Sequence, residues 1–229
     1  PCNAVAKTAI HPTDEKLRLI WVYPAHMTFA EGMFAMPLIR AYKEKIPSAY
    51  GIWIRYIRGD IRYIRSRKPK DFTWFAADWS SFDATVPAWL IRDAFAILLE
   101  QLNMSKYEFR GVPTDPQSLP RLWKTVVDYF INTPIKDPDG RVTVKGGGVP
   151  SGSYFTNLID SIVNYIAIAY LLSEVRYLPT SMYVMGDDVL VAIKKDENFD
   201  LGAFATEALL VFGLELNIDK TEIGEFPNF

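Results

Sequence analysis

The sequence predicts an α+β fold in which a small antiparallel sheet packs on helices. Three observations carry this. Phe72–Ala77, Ser181–Met185 and Val189–Ile193 are short, apolar, β-rich runs, the length and composition of buried strands. The last two flank Gly186-Asp187-Asp188 and so form an antiparallel hairpin. Between these runs lie longer segments whose apolar residues recur with helical spacing.

The composition bounds the chemistry. At 229 residues the chain suffices for one large domain or two small ones, and 49% hydrophobic with 23% charged residues is ordinary for a folded globular chain. Twenty-five Lys and Arg against 27 Asp and Glu leave a net charge of −2, so a polyanionic partner must be held by local charge rather than an overall field. Cys2 is the sole cysteine, and His11 and His26 are the only histidines. That excludes an intrachain disulfide and the usual four-ligand Cys/His zinc site, and leaves few routes to a Ser/His or Cys/His nucleophile. Any chemistry falls to carboxylates and bases. No charge-flanked apolar run opens the chain, and Ile162–Leu172 is too short to span a bilayer, so no membrane segment is expected. The start at Pro1 and the close on Glu225-Phe226-Pro227-Asn228-Phe229 read as the ends of a fragment.

In chain order, Lys16–Tyr23 alternates charge with Leu, Ile and Val up to Pro24 and predicts a short strand, and Phe29–Lys45 predicts a helix. Arg55, Arg58, Arg62, Arg65, Arg67, Lys68 and Lys70 then stand against one acid, Asp60. Interleaved with Ile and Tyr, they suit either a grip on a phosphate backbone or the solvated face of an amphipathic helix. Phe72–Ala77 is a buried strand that delivers Asp78 to its edge. Pro87 suits a first helical turn, with the helix running to about Leu102. Gly111–Pro120 is a loop, Leu122–Phe130 a helix, and Asp137-Pro138-Asp139-Gly140 the turn of a hairpin around Ile135 and Val142. The small-residue loop Gly146–Gly152 precedes a long helix from Ser153 to about Tyr177. On it Ser153, Thr156, Asn157, Asp160, Ser161 and Asn164 fall within one arc of about 140°. A solvent-facing stripe normally carries Lys and Glu. These small hydrogen-bonding groups on an otherwise apolar helix point instead to a site, because buried polar groups need partners. Asn198–Phe212 predicts a helix closed by Gly213, and Leu214–Ile223 an extended segment carrying Lys220.

Two adjacent aspartates in a tight turn repel each other, so Asp187 and Asp188 imply a cation. Mg²⁺ takes oxygen ligands and is commonly held by one or two carboxylates with substrate phosphates. Asp78, at another strand end, could complete a site for two ions about 3.5–4 Å apart, the arrangement of metal-assisted phosphoryl transfer. Gly147-x4-Gly152 has the spacing of a phosphate-binding P-loop, but Ser153-Tyr154 replaces the required Lys-Ser/Thr, which excludes that reading.

Asp78-Trp79-Ser80-Ser81-Phe82-Asp83, Gly148-Val149-Pro150-Ser151-Gly152 with Thr156, and Tyr183-Val184-Met185-Gly186-Asp187-Asp188 resemble, in order and spacing, motifs A, B and C of viral RNA-dependent RNA polymerases. Pro150-Ser151-Gly152-Ser153-Tyr154-Phe155-Thr156-Asn157 and Leu158-Ile159-Asp160-Ser161-Ile162-Val163-Asn164 look most like the partitiviruses, which have double-stranded RNA genomes. Lys16–Pro24 resembles motif F, and Leu216–Thr221 motif D.

The resemblance implies a right-hand polymerase palm at 71–229, partial fingers at 1–70, a fingers-side insertion at 112–148, and a thumb outside this stretch. It implies an enzyme that copies RNA with two Mg²⁺ or Mn²⁺ ions and NTP substrates, replicating and transcribing a viral genome. Template, nascent RNA and a viral capsid protein are the implied partners, and a viral particle in the host cytoplasm the implied location. Asp78 and Asp187 would be the principal metal ligands, with Asp188 a weaker one. Asp83 would reach the ribose 2′-hydroxyl, Ser151 and Gly152 would form the loop that holds template and nascent pair, and Thr156 would help check the sugar. Lys16 and Arg18 would neutralise the triphosphate, and Lys220 would protonate pyrophosphate as a general acid. Nine residues after Ser151, where the picornaviruses have a sugar-selecting Asn, stands Asp160, with Asn164 one turn later as a second candidate for the ribose. Asp160 could bond the ribose or orient Asp83, provided one of the two acids is protonated or bridged.

Two other readings differ in testable ways. A reverse transcriptase shares the palm, but usually places a bulky aromatic where Asp83 stands. A noncatalytic RNA-binding module needs only the basic stretch at 55–70 and leaves the aspartates unexplained. His11, His26, Cys2, Asp93 and Asp128 are assigned no chemistry, and Trp74, Trp79 and Phe82 are assigned to the core.

Overall fold

A computed structural model of the chain describes residues 1–7, 18–177, 179–195 and 199–225. Its elements are β1 (Cys2–Lys7), β2 (Arg18–Val22), α1 (Ala25–Glu44), α2 (Asp60–Ser66), β3 (Phe72–Ala77), β4 (Trp79–Ser80), α3 (Phe82–Thr85), α4 (Ala88–Leu99) and α5 (Ser118–Ile131). There follow β5 (Pro134–Lys136), β6 (Val142–Val144), α6 (Thr156–Glu174), β7 (Ser181–Met185), β8 (Asp188–Lys194), α7 (Leu201–Phe212), β9 (Glu215–Leu216) and β10 (Glu222–Gly224).

The central sheet runs β10-β3-β8-β7 and is antiparallel throughout. Both of its faces are covered, which is why β3 reads as a continuous apolar run rather than an alternation. Phe75 and Ala77 join the main core with α4, α5 and α6, while Trp74 and Ala76 pack in a second cluster with Trp53, Ile64 and Tyr183. In the main core Phe95 meets Phe130, Phe155 and Trp123 edge-on, at ring-centroid distances of 5.0, 5.1 and 5.6 Å. Deleting such a ring costs about 3–5 kcal/mol, through lost burial and the cavity left behind.

A second sheet, β2-β1-β5-β6, pairs β1 with β5 in parallel and is otherwise antiparallel. A two-stranded ladder joins β4 to β9. Part of the basic stretch forms the amphipathic helix α2, in which Ile64 is buried while Arg62 and Arg65 are exposed.

Several boundaries differ from the sequence expectation. α1 begins at Ala25 rather than Phe29, because Pro24 supplies its extended preceding residue and the Pro24 carbonyl accepts from Met27 and Thr28. Pro87 is likewise extended and precedes α4 rather than entering its first turn, and α4 ends at Leu99 rather than Leu102. Lys220 lies in a turn between β9 and β10, not in an extended segment, since the Lys220 and Thr221 amides both bond back to the Asn217 carbonyl. α6 is long and apolar enough to cross a membrane by length and composition, yet it sits at the centre of the core, with Ile159, Val163, Ala167 and Ile168 fully buried. Of the predicted N-terminal strand, Lys16 lies outside the described residues, as do His11 and Asn198.

Candidate active site

Antiparallel register brings the acids together. β3 and β8 pair Ala77 with Val189, and Met185 opposes Asp188 across the β7–β8 turn. Asp78, one residue past Ala77, therefore emerges beside Asp188, with Asp187 in the adjoining turn. Asp78 and Asp188 line one open cleft of about 500 Å³, together with Asp219 and Lys220. Backbone bonds bring Lys220 there: the Asp78 carbonyl accepts from Asn217 N–H (2.8 Å) and the Thr221 hydroxyl accepts from Asp78 N–H (3.2 Å).

Among the described residues, none of Asp78, Asp187 or Asp188 forms an ion pair with Lys or Arg. Desolvation, then Asp187 and Asp78, raise the Asp188 carboxyl above the usual carboxylate range. A hard cation relieves that repulsion, and the all-oxygen donor set suits Mg²⁺ or Mn²⁺. Among the described residues no three acidic, His or Cys side chains close around a single point. The carboxylates thus fit ions that keep several positions for water and phosphate, as Mg²⁺ does, rather than a cage of protein ligands.

The second pair of acids settles how two carboxylates share a buried space. Asp160 is 3% exposed on α6, and burial followed by the charge of Asp83 keeps its carboxyl well above the usual range. The two carboxyls are hydrogen-bond neighbours, an interaction that raises Asp160 and lowers Asp83. Asp83 is itself raised by burial and by Asp187, an effect the Asp160 bond opposes. Asp160 therefore faces Asp83 at the rim of the site.

Asn164 is placed elsewhere. It is fully buried, and its amide nitrogen donates to the carbonyls of Gly186 (3.1 Å), Asp187 (2.8 Å) and Asp188 (3.3 Å) while its oxygen accepts from Trp79 Nε1 (3.0 Å). Ser161 accepts from Gly186 N–H at 2.7 Å. Ser161 and Asn164 of the polar stripe on α6 thus cradle the Asp187 turn, and Asn164 shapes that turn from beneath, away from the cleft. Gly186, at φ +70°, takes the left-handed conformation the turn requires.

The Gly-rich loop packs along α3. Gly148 N–H donates to Val86 O (2.8 Å) and Val149 N–H to Asp83 O (2.5 Å). Gly148 has φ +74°, and a Cβ there would lie 2.9 Å from Asp83 O, so side chain and backbone cannot both fit. Thr156 turns its hydroxyl back to the carbonyls of Pro150 (2.6 Å) and Ser153 (2.9 Å), which closes the loop. Ser151 borders a second cavity of about 320 Å³ with Trp21, Asp83, Lys145 and Gly147. Arg18 opens β2.

Sequence reasoning missed Lys145 and Glu31. Lys145 Nζ donates to the carbonyls of Gly147 and Gly148, and burial lowers its ammonium to about 8. Glu31 was visible only as the lone acid in the apolar stretch Ala25–Leu38. Trp74, Trp79 and Phe82 are core residues, 1%, 5% and 2% exposed, while His26, Asp93 and Asp128 are exposed and Cys2 is a buried free thiol.

Comparison with known proteins converges on one family. Residues 10–229 match the family model described as viral RNA-dependent RNA polymerase. The chain is 32% identical over 234 residues to the RNA-directed RNA polymerase of Cryptosporidium parvum virus 1 (strain KSU-1), covering 96% of this chain and 41% of that protein. It is 27% identical over 253 residues to the RNA-directed RNA polymerase of White clover cryptic virus 1, covering 95% of this chain and 39% of that protein. It therefore spans about two-fifths of the length of these relatives. The fold matches the crystal structure of the RNA-dependent RNA polymerase of a human picorbirnavirus with a TM-score of 0.77 at 18% identity, covering 98% of this chain and 40% of that one. With its three aspartates at adjoining strand ends and the Gly-rich loop beside them, the chain belongs to the viral RNA-dependent RNA polymerase family.

Proposed function

We propose that this chain carries the catalytic centre of an RNA-directed RNA polymerase, which joins an NTP to an RNA 3′-hydroxyl on an RNA template and releases pyrophosphate. The observation that carries this reading is the convergence of Asp78, Asp187 and Asp188 at the adjoining ends of β3, β7 and β8, above a cradle that uses Asn164 and Ser161 to hold the turn. Asp78, Asp187 and Asp188 would hold two Mg²⁺ or Mn²⁺ ions. When bound, the ions supply Lewis-acid stabilisation of the attacking and leaving oxygens.

The chain's own residues do the rest. Asp83, oriented by protonated Asp160, accepts the ribose 2′-hydroxyl, the group that separates RNA from DNA precursors. Ser151 and Gly152 seat the template and nascent pair beside Asp83. Lys220, in the same cleft as Asp78, gives its proton to the departing pyrophosphate. Lys16 and Arg18 neutralise the triphosphate.

Residues 71–229 serve as palm and 1–70 as part of the fingers. The pairing of β1 with β5, which puts the 112–148 segment in one sheet with the N-terminal strands, supports assigning that segment to the fingers side. The chain works on a viral genome, with a capsid protein as partner and a viral particle in the host cytoplasm as its place.

The test is incorporation of labelled rNTP on an RNA template with Mg²⁺ by the complete polypeptide, beside its Asp187→Ala, Asp188→Ala variant. Activity lost in a variant of unchanged thermal stability is the expected result. RNA binding without metal and without incorporation by the parent would replace this reading with that of a binding module.

A further inference from the structure

The Gly-rich loop is held at two ends by different parts of the fold. Its first half is tied to α3 through Gly148 and Val149, as described above. Its second half reaches across to α1. There Tyr154 N–H donates to Glu31 Oε2 at 2.9 Å, and the Ser153 side chain hydrogen-bonds the same carboxylate. The two partners lie 123 positions apart in the sequence. Glu31 is 0% exposed, and its other oxygen, Oε1, has no hydrogen-bond partner. Burying a carboxylate with one unsatisfied oxygen is costly, and the bonds made by the other oxygen offset only part of that cost. Among the described residues no Lys or Arg pairs with it: Tyr154 packs along Gly32 of the same helix, and Cys2, Tyr23 and Tyr129 are the titratable groups facing it from β1, the β2–α1 junction and α5. Between the two anchors stand Ser151 and Gly152, the latter pressed against the Trp21 carbonyl of β2.

We propose that Glu31 is a positioning residue for nucleotide addition: its carboxylate pins the Tyr154 amide to α1 and thereby sets where Ser151 and Gly152 stand against Asp83. The proposal rests on the polymerase reading for its consequence, but not for its geometry. Burial raises Glu31 to about 7, whereas the facing thiol and phenols, which ionise at higher pH to begin with, are themselves raised by burial. Lys145, which holds the other end of the loop, sits at about 8. The anchor thus weakens on protonation as pH falls through about 7.

The experiment compares the parent polypeptide with Glu31→Ala and Glu31→Gln. It measures amide exchange over residues 152–155, KM and kcat for an rNTP and the matching dNTP, and RNA affinity. In Glu31→Ala, exchange at Tyr154 rises about tenfold, as for loss of a hydrogen bond to a charged acceptor. The rNTP-over-dNTP preference falls about as much while RNA affinity holds. Glu31→Gln, whose neutral amide oxygen still accepts the Tyr154 N–H as the protonated carboxyl does, restores both to the parent's low-pH level. Parental exchange and preference in Glu31→Ala would overturn the proposal, as would a well-folded Glu31→Gln that behaves like alanine. If Glu31→Ala does not fold, the pH profile of preference decides: Glu31→Gln loses the parental inflection near 7, and its retention refutes the role. A parent that incorporates nothing sinks the polymerase reading instead, and the exchange comparison still judges the anchor.

Discussion

Replacing Asn164 with Ala tests the cradle beneath the Asp187 turn most directly. The side chain is fully buried, and it joins Trp79 Nε1 to the carbonyls of three consecutive residues, Gly186, Asp187 and Asp188. Truncation strands the buried indole N–H and removes the carbonyls' donor at once. A buried polar group left unpaired costs about 1–3 kcal/mol. With a donor and a set of acceptors both affected, the loss should be about 2–4 kcal/mol. For a chain of this size each kcal/mol moves the melting temperature by about 2–4 °C, so a fall of about 5–15 °C is expected. Ser161 still holds the Gly186 amide, so the turn loosens rather than unfolds. Because a misplacement of about 1 Å near reacting groups costs about a hundredfold in rate, incorporation should drop by about that factor below the variant's melting temperature. Calorimetry, amide exchange at 186–188 and single-turnover incorporation measure the three effects. A melting temperature within about 1 °C of the parent, with unchanged exchange at the turn, would refute the reasoning.

Two further outcomes follow from other contacts. In Gly152→Ala the new Cβ runs into the Trp21 carbonyl oxygen and lies 3.0 Å from its carbon; strand backbone cannot yield as a side-chain tip can, so the loop must withdraw. Stability should fall by about 1–3 kcal/mol and incorporation by about a hundredfold, and parental kinetics would show that the loop tolerates the shift. Glu31→Gln should change how stability depends on pH. The folded carboxyl, raised by burial from 4.5 to about 7, favours the protonated form, so its contribution is full below about 4.5 and is lost as pH rises through about 7. Relative to the variant, the parent should lose about 3 kcal/mol across that window, read from urea unfolding between the two limits. Parallel stability curves would refute the burial argument.

Much of the site was legible because its cues are local. A strand of small and aromatic apolar residues ending in an aspartate, and two acids between β-rich runs, announce their own geometry, and the hairpin at Gly186–Asp188 forms where expected. The stripe on α6 was legible as a polar anomaly, but its duty was not. Asn164 was offered for the ribose, and the structure sets it under the turn, because period 3.6 locates a face without saying which element covers it. Lys220 was placed on an extended segment, whereas two bonds to the Asn217 carbonyl make it a turn. Nothing local distinguishes Asn217 as that acceptor.

Residue order alone therefore determined the elements, the spacing of the aspartates and the kind of ion they suit, since hydrophobic period, turn chemistry and charge repulsion act over a few residues. The tertiary structure decided which acids face each other in a buried space, which amide Glu31 holds and why Gly152 bears no side chain. Those outcomes depend on burial and on partners distant in sequence: desolvation raises Asp160, Glu31 meets Tyr154 across two elements, and the Trp21 backbone occupies the space a Cβ would need.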